Sequence, residues 1–435
     1  MLYDKLKNYN RIPFHMPGHK RNIKTLGTKL PYGLDITEVE GFDNLHSPNG
    51  ILLELNNKIN KLYNAKQSYA LVNGSTVGIL AAINSIVSEG DTVLMARNCH
   101  KSVYNAVEIA KAEVEYIMPD YDDFGIFRGI TAAQVESGLN ENIKLVIITS
   151  PTYEGVESEV DAICKTAHKR NIPVLIDAAH GAHLFDRYHN ADVVIRGLHK
   201  TLPALTQCAA ANLYGDLVDH KQFEIKLSMF ETSSPSYVLL ASIEKCIEFI
   251  DSIKFDEYHT KLNNFYKINL NNLKVLKYDD IGKIVIFTGY TSISGYELAD
   301  KLRENNIEPE MAATDYVIAL SSVCDSTENF NELKNVLTEI DSTLSVNDYN
   351  PNTISQLPKK KSNSFDIKDI ESTYLFDCIG KISAEYIWAY PPGIPIIVPG
   401  EIINKEIIDY IKNNKQTDFQ STYGQIPQKI YCKKV

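Results

Sequence analysis

Between residues 68 and 214 short apolar runs alternate with stretches of helical periodicity, and few folds accept that pattern. The apolar runs predict strands at Tyr69–Asn73, Thr92–Ala96, Val114–Met118, Lys144–Thr149, Pro173–Asp177, Asp192–Arg196 and Cys208–Tyr214. Helical spacing lies between several of them, at Ser75–Ser88, Ser102–Ala112 and Val160–Arg170. Strands joined through helices require crossover connections, so the pattern implies an α/β fold with a mostly parallel seven-stranded sheet covered on both faces. Ligands of such sheets bind beyond the carboxyl ends of the strands, where the chemistry-bearing residues of this stretch also fall.

A length of 435 residues exceeds one small core and suits two or three domains. We divide it into an N-terminal arm (1–40), a large domain (41–255), a small α/β subdomain (256–345), a linker (346–366) and a C-terminal segment (367–435). The subdomain predicts a helix over Asp256–Leu276, strands Lys283–Phe287 and Tyr316–Ser321, and helices Ser294–Asn305 and Glu328–Leu344; a helical tract at Pro235–Ile250 precedes it. The linker holds two prolines and the run Lys359-Lys360-Lys361, read as solvated. A net charge of −11 argues against a nucleic-acid partner, which needs a basic face. The seven cysteines (99, 164, 208, 246, 324, 378 and 432) are scattered and show no metal-ligand spacing, so no metal is expected and the thiols read as reduced. The N-terminus lacks an apolar signal core and no apolar run reaches membrane-spanning length, so a cytoplasmic protein without membrane contact is expected.

Four features carry the chemistry. Asn73-Gly74-Ser75-Thr76 closes a strand and opens a helix, where free amides and the helix dipole favour an anion; a plain N-cap explains the same residues. Asp177 ends the buried run Val174-Leu175-Ile176, where leaving a charge unpaired costs about 3–5 kcal/mol. A protonated pyridine nitrogen would satisfy that carboxylate; local amides of the next turn are the alternative. His100 and His180 each stand just past a strand end, placed to stack on a flat ring or donate to a carboxylate, or simply to hold a turn. Lys200 follows Asp177 by 23 positions among Leu198, Leu202, Pro203 and Leu205, a sheltered setting that would keep its amine neutral and nucleophilic. His199 beside it is placed to contact a phosphate or assist proton transfer. Together they are the layout expected of a pyridoxal phosphate (PLP) site, with the lysine carrying the aldehyde and the aspartate pairing with the ring nitrogen.

These motifs, in this order, resemble the Orn/Lys/Arg decarboxylase family of PLP enzymes with the aspartate aminotransferase fold (fold type I). The resemblance begins at Phe14-His15-Met16-Pro17-Gly18-His19-Lys20 and runs through Asp35–Glu38, Asp43–His46, Leu71–Thr76, Arg97–Ser102 and Ser150–Tyr153 to the Asp177 and Lys200 motifs. Thr232–Tyr237 and Tyr390–Glu401 complete it. It implies that Lys200 binds the cofactor covalently, Asp177 pairs with its ring nitrogen and His100 stacks on its face. Gly74, Ser75 and Thr76 would hold the phosphate with His199 nearby, and His180 would support the cofactor or the substrate carboxylate. Thr232, Ser233 and Ser234 would reach the phosphate of a neighbouring subunit, which implies a homodimer with shared sites, and Glu401 would serve the distal cation of the substrate. The implied reaction is decarboxylation of arginine, lysine or ornithine, feeding polyamine synthesis.

Other fold type I reactions, such as those of aminotransferases or lyases, and a PLP-binding paralogue with little decarboxylase activity are the alternatives. The chain departs from the family at Gly197, where a small hydroxyl residue often contributes to phosphate binding; this weakens one expected phosphate contact, with Arg196 beside it a candidate replacement. The stretch from His183 to Asp192 is shorter than in larger relatives, and no N-terminal wing domain precedes the PLP-binding part, so the higher-order assembly of the large enzymes is not expected.

Overall fold

The computed structural model describes residues 2–8, 30–253, 255–351, 353–354, 357–390, 393–414, 416–424 and 428–434. Seven strands form one sheet: β1 (Gln67–Leu71), β2 (Thr92–Ala96), β3 (Glu113–Ile117), β4 (Ile143–Thr149), β5 (Val174–Ala178), β6 (Val193–Arg196) and β7 (Ala209–Leu213). Their order is β1-β7-β6-β5-β4-β2-β3. Only β7 runs against its neighbours; the ladders from β6 through β5, β4 and β2 to β3 are parallel. Every residue of β2, β5, β6 and β7 is buried, which is why these strands read as unbroken apolar runs rather than alternating ones. The expected strands are all present. β1 ends two residues earlier than its apolar run, because Asn73 already occupies the N-cap of helix Gly74–Ile86.

Helices Gly74–Ile86, Lys101–Ala110 and Val160–His168 pack on one face through Val77, Ile79, Val103, Val107 and Ile163. Helices Leu2–Asn8, Ile51–Tyr63 and Tyr237–Ser252 cover the other through Leu6, Leu55, Ile59, Leu240 and Ile243. Helix Ile51–Tyr63 has no counterpart in the sequence reading; its three asparagines and two lysines dilute an apolar stripe that buries Leu52, Leu55, Ile59 and Tyr63.

A four-stranded antiparallel sheet follows: β8 (Lys274–Leu276), β9 (Lys283–Phe287), β10 (Met311–Ala312) and β11 (Tyr316–Leu320), in the order β10-β11-β9-β8. The helix expected over Asp256–Leu276 ends at Phe265. The buried carboxylate of Asp341 captures the amides of Asn271, Asn272 and Leu273, and the chain leaves that turn as β8. The closing segment forms the pair β12 (Ile370–Tyr374) with β16 (Lys429–Lys433), and the sheet β13 (Ile387–Tyr390), β14 (Ile394–Ile397) and β15 (Asp418–Ser421). Helix Lys405–Asn413 buries Ile407, Ile408 and Ile411 beneath them. Among the described residues no helix is long and apolar enough to cross a membrane, and all seven cysteines are free. The Phe14–Lys20 motif lies outside the described residues, as do Pro391 and Pro392.

Candidate active site

A cavity opens at the carboxyl ends of the parallel strands, lined by Ser75 after β1, Asn98 and His100 after β2, Thr149 at the end of β4, Asp177 near the end of β5 and His180 after it, and Lys200 after β6. The sheet register sets Thr149 beside Asp177 and Asp177 beside Ile195, so the carboxylate stands at the centre of the row. Asp177 is 3% exposed and accepts the Ala179 amide at 3.1 Å. Among the described residues it makes no ion pair. Burial pushes its carboxyl upward, opposed by the positive charge of Lys200 and the Ala179 amide.

His100 caps helix Lys101–Ala110: its Nδ1 accepts the Ser102 amide at 3.2 Å and lies 2.8 Å from the Ser102 hydroxyl. That bond fixes the ring at the cavity wall. Burial, with Lys200 and Lys101 nearby, lowers its pKa to about 4, so it is neutral at physiological pH. Lys200 sits in the short helix Leu198–Thr201, and its Nζ lies 2.7 Å from Nε2 of His180. On the far side of the same ring, Nζ of Lys283 from β9 lies 3.2 Å from Nδ1. Burial lowers the pKa of Lys200, against the pull of Asp177 and Glu310. The ring edge of Tyr153 packs on His180 with centroids 4.5 Å apart, and the Tyr153 hydroxyl is held by Glu310.

Several residues singled out in the sequence stand elsewhere. Thr76 is exposed and does not line this cavity, while Gly74 opens the helix beside Ser75. His199 turns away from the cavity, its Nδ1 2.9 Å from the Cys208 carbonyl. Thr232, Ser233 and Ser234 line no part of the cavity; the Thr232 amide donates to Asn73 Oδ1 at 3.1 Å, and Ser233 and Ser234 are exposed. Glu401 is 1% exposed and does not face the cavity. Its Oε2 accepts from Arg97 Nη2 at 3.1 Å and from the Val398 amide at 2.8 Å, tying the C-terminal segment to the end of β2. Arg196 is no substitute at the Gly197 position. Its guanidinium points to the opposite side, donating to Asn212 and Tyr214 and lying 4.3 Å from the Tyr63 ring. Gly197 itself is required by close approach, since a Cβ there would lie 2.7 Å from the Ala179 carbonyl oxygen.

The chain matches the model of the Orn/Lys/Arg decarboxylase major domain over residues 2–288, and that family's C-terminal domain over residues 347–421. It belongs to the Orn/Lys/Arg decarboxylase family. An arginine decarboxylase of Bacillus subtilis is 29% identical, with 95% of this chain and 93% of that protein covered. An arginine decarboxylase of Halalkalibacterium halodurans is 30% identical, with 94% and 91% covered. The Francisella novicida lysine decarboxylase superposes with a TM-score of 0.82 at 17% identity, over all of this chain and 80% of that one. This family member is therefore a decarboxylase built on the PLP fold type I scaffold.

Its residues fit the cofactor that the family implies. Asp177 is a buried carboxylate that makes no ion pair among the described residues, with the Lys200 charge only nearby, which leaves it free to pair with a protonated ring nitrogen. Helix Gly74–Ile86 begins with no side-chain cap; the Gly74 amide donates to the Gln207 carbonyl at 2.9 Å, and the amides that follow it are donors that a phosphate satisfies. Two further residues of this decarboxylase were not foreseen. Lys283 opens an otherwise apolar strand, and that isolated charge was the available signal. Glu154 is 5% exposed, accepts from the Tyr316 hydroxyl at 2.8 Å and lines both this cavity and an adjoining one walled by Tyr121, Phe127 and Tyr296.

Proposed function

We propose that the protein is a PLP-dependent decarboxylase of a basic amino acid, arginine first, whose amine product feeds polyamine synthesis in the cytoplasm. One observation carries the reading: Lys200, Asp177, His100, His180 and Ser75 line a single cavity at the strand ends. The arginine preference rests on the two full-length relatives named arginine decarboxylases. Lys200 would hold the cofactor aldehyde, Asp177 its ring nitrogen, His100 its ring face, and Ser75 with the first amides of its helix the phosphate. When bound, the cofactor supplies an electron sink for the bond broken at Cα.

The protein's own groups would then do the rest. Lys200, sheltered from water, exchanges between a neutral nucleophile and an ammonium that returns a proton to Cα. His180, held against Tyr153, orients that amine. Glu154, a buried carboxylate without an ion-pair partner among the described residues, would receive the distal cation of the substrate, a role the geometry of Glu401 does not suit. We further propose a homodimer in which the Thr232–Ser234 turn, with Ser233 and Ser234 exposed, reaches the partner's site; sedimentation of the holoenzyme as a monomer would remove that part of the reading.

The test is carbon dioxide release and amine identification with arginine, lysine and ornithine, in the presence of PLP. Release from at least one, with arginine fastest, is expected. Lys200→Ala should abolish both turnover and the yellow absorbance of the bound cofactor. Keto-acid formation without carbon dioxide, or an undiminished colour in Lys200→Ala, would overturn the proposal.

A further inference from the structure

Hydrogen counting at His180 leads beyond the cofactor contacts. An imidazole at neutral pH carries one N–H and one lone pair. Here both ring nitrogens face a lysine amine, Lys200 at 2.7 Å and Lys283 at 3.2 Å. Two ammonium groups cannot both donate to this ring, because only one nitrogen has a lone pair. Two neutral amines would leave the ring nitrogen without N–H facing a weak donor. One ammonium and one neutral amine satisfy every position, with the ring N–H pointing at the neutral one.

We propose that Lys283, His180 and Lys200 form a proton relay, with Lys283 the positioning residue that sets the protonation state of the cofactor-anchoring amine. In one state Lys283 is an ammonium donating to Nδ1, and Nε2–H donates to neutral Lys200. In the other, Lys283 has passed its proton to Nδ1, the ring has released its Nε2 proton to Lys200, and Lys283 is neutral. One proton moves on, one moves off, and the total charge is unchanged. The first state suits capture of an aldehyde; the second suits proton donation.

The surroundings are built for this. Lys283 is 1% exposed, and among the described residues its amine has one hydrogen-bond partner, His180, although Asp280 stands nearby. Asp280 gives its Oδ1 to His183 at 3.0 Å and to the Gly282 amide at 3.0 Å, while its buried Oδ2 has no hydrogen-bond partner among the described residues. The Lys283 stem passes close to Gly155, whose φ of +96° and missing Cβ leave room; a Cβ there would lie 2.9 Å from Lys283 Cγ. Burial brings the Lys283 ammonium down to about 8, with Lys200 adding to the depression and Asp280, Glu310 and Glu154 opposing it. Burial, Lys283, Lys200, His100 and His199 all depress His180, so a ring carrying two N–H groups is disfavoured. Facing Lys200 on its own side are Asp177 and Glu310. The two amines are therefore balanced by carboxylates at either end of the imidazole.

The inference rests on Lys200 as the amine that binds PLP, and the experiment separates the two. Apoprotein is mixed with PLP, and the rate of appearance of visible absorbance is followed against pH. Removing the Lys283 cation takes a like charge away from Lys200, so the apparent pKa governing capture should rise. Lys283→Met should shift it by about one unit, making capture at neutral pH about tenfold slower. Lys283→Arg keeps a permanent cation but cannot give up a proton. It should restore capture while turnover stays depressed; recovery of both would reduce Lys283 to a fixed charge and overturn the relay. An unchanged profile in Lys283→Met, with colour still lost in Lys200→Ala, would also overturn it. Absence of colour in the parent protein would instead sink the reading of Lys200. If the variants misfold, nitrogen-15 spectra of His180 in parent apoprotein decide: one N–H at neutral pH is expected, and a doubly protonated ring refutes the relay.

Discussion

Two buried carboxylates, Asp177 and Glu401, stand in different regions of this molecule and have opposite fates. Both are almost fully shielded from water, and burial raises both above the usual carboxyl range. Glu401 has a resident cation: Arg97 lies 3.1 Å away and is anchored in turn to Tyr104 at 2.9 Å and the Pro395 carbonyl at 2.8 Å. Among the described residues Asp177 has no ion pair and accepts only the Ala179 amide, and beyond it lies an open cavity. A carboxylate whose countercharge belongs to the fold is an element of structure. One whose countercharge must arrive from outside marks the place where a ligand completes the protein.

The largest effect expected from this contrast is at Asp177. Removing one partner of a buried charge pair costs about 3–5 kcal/mol, which in a reaction barrier amounts to about a hundredfold to several thousandfold in rate. Asp177→Ala should therefore lose at least that much turnover while the apoprotein keeps its thermal midpoint, because no ion pair among the described residues is broken. Equal turnover in the variant and the parent would remove Asp177 from the site. At Glu401 the loss should appear in stability instead. Glu401→Gln leaves the Arg97 guanidinium buried and unpaired, for about 3–5 kcal/mol of destabilisation, read as a lower denaturation midpoint of apoprotein and holoprotein alike. A selective rise in KM at unchanged stability would return Glu401 to substrate binding.

The sheet and the row of residues lining the cavity were legible in the sequence for a common reason. Strands buried on both faces read as continuous apolar runs, and a polar residue ending such a run is conspicuous, as Asp177, His180 and Lys200 are. What it left hidden depends on direction and on distance along the chain. Arg196 and Gly197 are adjacent, yet the arginine faces away from the cavity and the glycine lies against Ala179, a difference of side that no motif records. Glu401 follows Tyr390 and Ile394 in one motif, but those two line the cavity while Glu401 turns to Arg97. Lys283 meets His180 across 103 positions, from a different sheet, and looks in the sequence like a charged strand end. In the Thr232–Ser234 turn Ser233 and Ser234 are exposed in a single chain, so its proposed role depends on a second copy.

Glu154 sharpens the comparison because it falls between the two types. Like Glu401 it is buried and hydrogen-bonded, here to Tyr316; like Asp177 it has no cation among the described residues. Burial raises its pKa, with the Tyr316 hydroxyl opposing, so an incoming cation would recover the cost of keeping it ionised. A hydrogen bond to a charged group contributes about 1.5–3 kcal/mol, so Glu154→Gln should lower kcat/KM for arginine by about 10- to 100-fold. The side-chain volume and the Tyr316 contact are kept, and the interaction exists equally before and during bond breaking. The loss should therefore sit in KM with kcat little changed, and the cofactor absorbance should stay at the level of the parent. A fall in kcat at constant KM would place Glu154 with Asp177, acting on the reacting centre. A lower midpoint at constant kcat/KM would place it with Glu401, as a carboxylate that serves only the fold.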